Sequence, residues 1–329
     1  MNEFELIDSV NKILDGEFGA SEIGPGDDSA LIAGIDKDQL LVSKDLLVED
    51  VHFDFNLSSP ADVGWKALAV NHSDICAMGG DVVGYLIGIG VPSTRVDSVV
   101  GLYKGMKEYV TSYGGLVYGG DVVRSKDFII SVTAIGKSAR PIKRNGARTG
   151  DSIWVSGELG LAQVGLEILK DPSSFKNFSD AKRDQAILKH RRPSPQFELA
   201  HYLANNIDPT SMIDIRDGLF QDLTHVATNS KKSLRLDIDA VPLEAEDLSM
   251  KEKLRLFASG EDFQLAFTAP SDFDPSGLQE KFPDCVRIGS VIDKQDEFIV
   301  LSHKSKLTSL NEFFESHGLS GAKLGFKHF

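Results

Sequence analysis

PADVGWKALAVNHSDICAMGGDVVGYLIGIGV, residues 60–91, is the stretch whose reading decides the fold. Residues 60–78 follow a helical pattern, with Trp65, Leu68, Ala69, His72 and Cys76 on one side. Residues 85–91 read as a strand. At about 100° per residue, a polar stripe holds Asp62, Lys66 and Ser73. Asp74 falls elsewhere, on a side lined by Val63, Ala67 and Val70. A carboxylate there is costly to bury unless it is paired, capped or metal-bound. His72 lies on the apolar stripe and reads as a core histidine.

Working outward, residues 4–14 predict a short amphipathic helix, and residues 40–43 a strand running into a polar loop. Residues 97–113 predict a second long helix, and residues 128–135 a further strand. Strands and helices alternate around an α/β layer. A basic, glycine-containing segment at 138–150 marks a boundary between a domain at 1–138 and a second α/β domain at 139–329. There, residues 152–157 and 264–268 read as strands, and 159–169 and 196–204 as helices. The polar run 171–185 reads as a loop. Asp217 stands where a helix carrying Leu219, Leu223 and Val226 begins.

Across 329 residues, 41% are hydrophobic and 26% charged, an ordinary globular balance. The formal charge of −14 argues against a nucleic-acid or membrane-surface binder. Cys76 and Cys285 form no redox or ligand motif and read as buried free thiols. No run approaches the roughly 18 apolar residues of a membrane span, and the N-terminus has no signal-peptide layout. The expected location is the cytoplasm.

Acidic motifs recur beside small residues: Gly24-Pro25-Gly26-Asp27-Asp28, Ser43-Lys44-Asp45, Asn71-His72-Ser73-Asp74, Gly119-Gly120-Asp121 and Asp214-Ile215-Arg216-Asp217-Gly218. Gathered by a fold, these carboxylates would repel unless hard cations sat among them. Oxygen ligands suit Mg²⁺, which commonly also holds phosphate oxygens, so the set points to a magnesium–nucleotide site. Several of these stretches also have a plainer reading, though Asp214 does not. The first is a tight turn, Asp217 a helix N-cap, Gly119-Gly120 a turn or a close backbone approach. Arg140, Lys143, Arg144 and Arg148 form a solvated loop or a phosphate clamp. The P-loop, protein-kinase and dinucleotide fingerprints are absent.

Taken in order, GPGDDSALI (24–32), VSKDLLVEDVHF (42–53), GWKALAVNHSDICAMGG (64–80), GGDVVRS (119–125), RNGARTGD (144–151), RRPSP (191–195), MIDIRDGLFQDLTH (212–225) and SGEDFQLAF (259–267) resemble the thiamine-monophosphate kinase family. That family belongs to the aminoimidazole ribonucleotide synthetase-like ATP-binding superfamily. The resemblance implies an α/β (α+β) two-domain fold and a homodimer paired through its N-terminal sheets. It implies phosphorylation of thiamine monophosphate by ATP with several Mg²⁺ ions, without a covalent nucleophile on the enzyme. It assigns Asp28, Asp45, Asp74, Asp121, Asp214 and Asp217, with Asp27 and Ser43, to metal. It assigns Gly120, Asp121, Arg144 and Arg216 to ATP, and His52, Glu261 and Phe326 to thiamine monophosphate. The alternatives are another ATP-using synthetase of the superfamily and a nucleotide-binding, non-catalytic paralogue. The chain departs from the family pattern at Lys44 and Arg216, where hydroxyl residues are usual, and at Val122-Val123, where Thr-Thr is usual. The expectation is that Lys44 and Arg216 bring fixed positive charge near the phosphates and partly replace a metal ion.

Overall fold

The structure is a computed structural model in which residues 29–32, 39–243, 247–319 and 325 are described. The helix expected at 4–14 lies outside them, as do Asp27, Asp28 and Phe326. A five-stranded sheet runs β1-β2-β5-β3-β4, built from β1 (Ala30–Ile32), β2 (Gln39–Val48), β3 (Asp81–Val91), β4 (Leu116–Arg124) and β5 (Ile129–Ser138). Only β3 and β4 pair in parallel. One face is covered by α1 (Pro60–Ala77) and α2 (Ser98–Tyr113). Leu41, Leu47, Tyr85, Ile87, Ile130 and Val132 point into that layer.

The second sheet is seven-stranded, in the order β12-β11-β8-β10-β6-β9-β7. Its strands are β6 (Ser152–Val155), β7 (Ser211–Ile215), β8 (Ser233–Asp237), β9 (Gln264–Ala269), β10 (Val286–Ile292), β11 (Ile299–His303) and β12 (Lys306–Ser309). Its helices are α3 (Leu161–Lys170), α4 (Asp180–Arg191), α5 (Phe197–Asn206), α6 (Leu219–Ser230), α7 (Met250–Phe257), α8 (Ser276–Lys281) and α9 (Leu310–Ser316). Only β8 and β11 pair in parallel. The layers are therefore mixed α/β with mostly antiparallel sheets.

The helix α1 is the hinge of the architecture. Ser59 and Asp62 close a capping box at its start, with Pro60 in the first turn. It is buried nearly all round because it lies between the first sheet, α2 and β7. Close contact with α2 needs glycine: a Cβ on Gly105 would stand 1.8 Å from the Ala61 carbonyl oxygen. The segment after α4 docks on the same helix. Trp65 Nε1 donates to the Pro193 carbonyl at 2.9 Å, Arg191 donates to the Leu57 carbonyl at 2.6 Å, and Arg192 pairs with Asp62 at 2.5 Å.

Several expectations change. Lys44 and Asp45 lie within β2, which continues to Val48 because β5 pairs with it along its whole length. Gly119-Gly120-Asp121 is part of β4, not a turn. A Cβ on Gly120 would sit 1.8 Å from the Ile87 carbonyl oxygen, so glycine serves the β3–β4 contact. Residues 180–191 form α4, started by Ser179, rather than loop. Lys66 is buried, since both sides of α1 are covered. Asp217 does not cap α6; Gly218 holds the N-cap position at a φ of 121°, without a side-chain cap bond.

His72 is a core residue, bonded through Nδ1 to the Tyr109 hydroxyl at 2.8 Å. Burial lowers its pKa to about 4. A histidine with a depressed folded pKa binds fewer protons folded than unfolded, so its contribution is lost as pH falls. Thermal melts are expected to show the wild-type advantage over His72→Gln shrinking as pH drops from 6.5 towards 4. A pH-independent difference would contradict this.

Candidate active site

Because α1 lies between the two sheets, consecutive side chains reach different partners. Asp74 faces β2, where Ser43 Oγ donates to its Oδ2. Ser73 faces β7 and donates to Asp214 Oδ2 at 2.5 Å. Asn71, one turn before Asp74, accepts the Asp45 backbone N–H at 3.1 Å and is held by the Ala67 carbonyl at 3.0 Å. Asp45, Asp74 and Asp214 are thus gathered by one helix from two sheets.

Beyond β7 the chain turns through Arg216 and Asp217. The guanidinium of Arg216 makes a two-pronged contact with Asp45, at 2.7 Å and 3.2 Å, and lies 3.5 Å from Asp74. Burial opposes its charge, but the carboxylates of Asp45, Asp74, Asp214 and Asp217 outweigh that and pull its pKa up. The turn is shaped from below by Asp222, in the first turn of α6. Its Oδ2 accepts the N–H groups of Arg216, Asp217 and Gly218 at 2.9, 3.0 and 3.0 Å. Burial and the Asp217 and Asp214 charges raise its pKa; Arg144 and the Arg216 N–H oppose them. Arg144 is therefore part of the same electrostatic neighbourhood.

A second cluster adjoins the first. Lys66 Nζ reaches Glu261 Oε1 at 2.8 Å and donates to the His52 carbonyl at 3.3 Å. His190 Nδ1 lies 3.6 Å from Glu261 Oε2. Burial works against Glu261 ionising, but the Lys66 ammonium prevails and the Glu261 pKa falls below the ordinary range; His190 beside it is held neutral, its own pKa lowered by burial to about 4. His52 accepts the Val48 N–H at 3.0 Å on Nδ1, which orients its ring. Glu261 and Phe263 sit in left-handed backbone, with φ of 70° and 49°. Such strain persists only where surroundings enforce it. Here the Glu261 N–H donates to the Arg216 carbonyl and the Phe263 N–H to the Ile215 carbonyl, at 2.8 and 2.9 Å. The buried Asp262 between them accepts the Gly160 and Ala162 N–H groups at the start of α3, at 2.6 and 3.3 Å. Burial raises its pKa to about 7. The two clusters are thus joined through backbone.

The structure brings together Ser43, Asp45, Asp74, Asp214, Arg216 and Asp217, with His52 and Glu261 beside them. Gly325 packs on the same turn, since an added Cβ would stand 2.8 Å from the Asp217 carbonyl oxygen. Gly120 and Asp121 are not joined to the cluster within one chain. They lie on β4, three strands from β2 and so roughly 14 Å away. Asp121 is exposed and accepts the Val122 N–H at 2.8 Å. Lys44 points to the opposite face of the sheet from Asp74, donating to Ser131 Oγ at 2.5 Å and Thr133 Oγ1 at 3.5 Å. The expectation for Lys44 fails because strand residues alternate faces.

Sequence reading missed Lys66, His190, Asp222 and Asp262. Asp222 had one usable signal, an acid in the first turn of a helix. The others gain their roles only from neighbours distant in the chain.

The oxygen donors of Asp45, Asp74, Asp214 and Asp217 suit a hard divalent cation. Among the described residues, no group of three acidic, histidine or cysteine side chains converges into a formed cation site. A guanidinium stands between Asp45 and Asp74 instead.

A mixed two-sheet fold with carboxylates gathered at the junction defines the class, that of aminoimidazole ribonucleotide synthetase-like proteins. A family model described as "AIR synthase related protein, N-terminal domain" matches residues 26–138. More specifically, the chain belongs to the thiamine-monophosphate kinase family. It is 34% identical to the thiamine-monophosphate kinase of Bacillus subtilis, over 83% of this chain and 85% of that one. Identity to the Aquifex aeolicus kinase is 34% as well, over 91% and 94%. The solved complex of AaThiL with AMPPCP and TMP superposes with a TM-score of 0.79 at 29% identity, covering 100% of this chain and 97% of that one.

Proposed function

We propose that this protein phosphorylates thiamine monophosphate with ATP, giving thiamine diphosphate and ADP. An oxygen of the substrate phosphate attacks the γ-phosphorus, and the bond from that phosphorus to the β,γ-bridging oxygen breaks. Mg²⁺ bound with the nucleotide would neutralise the phosphate oxygens and orient the transfer. The observation that carries this reading is the junction of the two clusters. Asp45, Asp74, Asp214 and Asp217 supply oxygen ligands, with Ser43 and Ser73 orienting two of them. Asp28 and Asp27 join the set by resemblance. His52 and Glu261 form the adjoining surface for thiamine monophosphate, with Phe326 assigned by resemblance. Arg144 serves the nucleotide phosphates. Gly120 and Asp121 rest on the resemblance alone.

We also propose that the two sheets are two domains meeting near residue 139, and that the protein is a homodimer. Leu46, Leu86, Tyr118 and Val122 are exposed on the first sheet, at 45–55%. An apolar sheet face of that kind fits a partner surface. Cys76 and Cys285 are buried free thiols, which fits a reducing compartment, the cytoplasm.

The test is the product. Purified protein with ATP, Mg²⁺ and thiamine monophosphate should release thiamine diphosphate and ADP in equal amounts. Unphosphorylated thiamine should be a poor substrate, since the attacking oxygen belongs to the phosphate. ADP without the diphosphate would refute the assignment.

Recognition should separate from chemistry at Glu261. Glu261→Gln removes the charge that Lys66 holds in place. The KM for thiamine monophosphate is expected to rise about tenfold or more, the scale of one lost charge-assisted contact. The KM for ATP should stay near its wild-type value. Equal rises for both substrates in steady-state kinetics would argue for a general structural defect.

A further inference from the structure

Arg216 holds a position that the surrounding chemistry reserves for a cation. It projects from the turn after β7 in the second half of the chain. Its guanidinium reaches Asp45 on β2 at 2.7 and 3.2 Å and lies 3.5 Å from Asp74 on α1. Those two carboxylates belong to the first half. Asp214 and Asp217 add negative charge from its own turn. Asp222 fixes the backbone from which it extends, through the N–H groups of residues 216–218. Asp74 is further engaged by Ser43, and Asp45 through its backbone by Asn71.

An ordinary buried ion pair would be sealed. The Arg216 side chain is 41% exposed, whereas those of Asp45 and Asp74 are 11% and 5% exposed. The Arg216 side chain thus borders solvent, whereas the carboxylates that it contacts do not. A divalent ion shared by Asp45 and Asp74 would place two positive charges where the guanidinium now makes its contacts. The two cannot share that position, because like charges a few ångströms apart repel strongly in a partly buried site. Lys44 plays no such part, being on the other face of the sheet.

We propose that Arg216 is a built-in cation that competes with a divalent metal ion for the Asp45–Asp74 pair. It neutralises the pair in the nucleotide-free enzyme and sets the metal concentration at which that position fills. The proposal rests on the reading of the acidic cluster as a metal site, so its test uses neither substrate nor turnover.

The measurement is a titration of nucleotide-free protein with Mn²⁺, reading free metal by electron paramagnetic resonance. Arg216→Ser is expected to bind Mn²⁺ about tenfold or more tightly at one position than the wild type, or to bind one additional ion in the same range, as follows when a nearby unit charge is removed. Arg216→Lys keeps a charge without the fork and should stay within a few-fold of wild type. Arg216→Gln serves as a second neutral variant if Arg216→Ser does not fold. The gain must disappear when Asp45→Asn is added. Identical isotherms for wild type and the neutral variants would overturn the proposal while leaving the metal reading intact. A gain that survives Asp45→Asn would overturn the assigned position. Absence of Mn²⁺ binding in every protein would overturn both.

Discussion

Asp74→Asn is expected to lower kcat about 10³-fold, the scale seen when one preorganised group stabilising a transferring charge is lost. The substitution keeps size and an acceptor for Ser43, and removes only the charge. Asp74 is central because it is nearly fully buried on a helix shared by both sheets, facing β2 and Arg216. The backbone has no reason to move, so the melting temperature without metal should stay within about 5 °C of wild type. Ser43→Ala should cost less, since it removes one orienting bond and no charge. Stopped-time assays of thiamine diphosphate at saturating Mg²⁺ decide the matter. Turnover within about threefold of wild type would make Asp74 a structural residue.

The second large effect is expected at Asp222, which touches no proposed substrate. Asp222→Ala removes the acceptor for the N–H groups of Arg216, Asp217 and Gly218. Leaving those donors without their partner costs about 2–4 kcal/mol. For a chain of this size that is a fall in melting temperature of roughly 3–6 °C. The functional cost is larger, because the same turn carries Asp214, Arg216 and Asp217. A displacement of about 1 Å there lowers kcat/KM on the order of 100-fold. Asp222→Asn retains a side-chain acceptor and should recover most of the loss. If Ala and Asn variants behave alike, the three N–H bonds are not what shapes the turn.

The same residues show how far sequence reaches. The helix at 60–77 was legible because its apolar positions recur at helical spacing and Pro60 opens it. Asp74 stood out because it broke that pattern toward an apolar side. His72 was legible as core for the converse reason. The acidic motifs were legible as a set because mutual repulsion makes so many carboxylates beside glycines hard to explain by stability alone. The family pattern added His52 and Glu261, and the structure places both beside Asp45, Asp74, Asp214 and Asp217.

Long-range placement was not legible. Lys44 and Arg216 look alike in sequence, each a cation beside a proposed ligand. Strand alternation sends Lys44 to the outer face of the sheet, while the turn after β7 sends Arg216 across to Asp45. Asp121 reads as a ligand equal to Asp45, yet strand order sets it three strands away. Lys66 reads as a solvated side chain, but α1 is covered on both sides and its ammonium is buried against Glu261. Periodicity and local motif chemistry depend on neighbours within a few residues, so the sequence by itself determined the long helices of the first half, several strands, the acidic set and the family. Which charges face one another depends on sheet order and helix burial, contacts between residues as far apart as Asp45 and Arg216, and only the tertiary structure decided them.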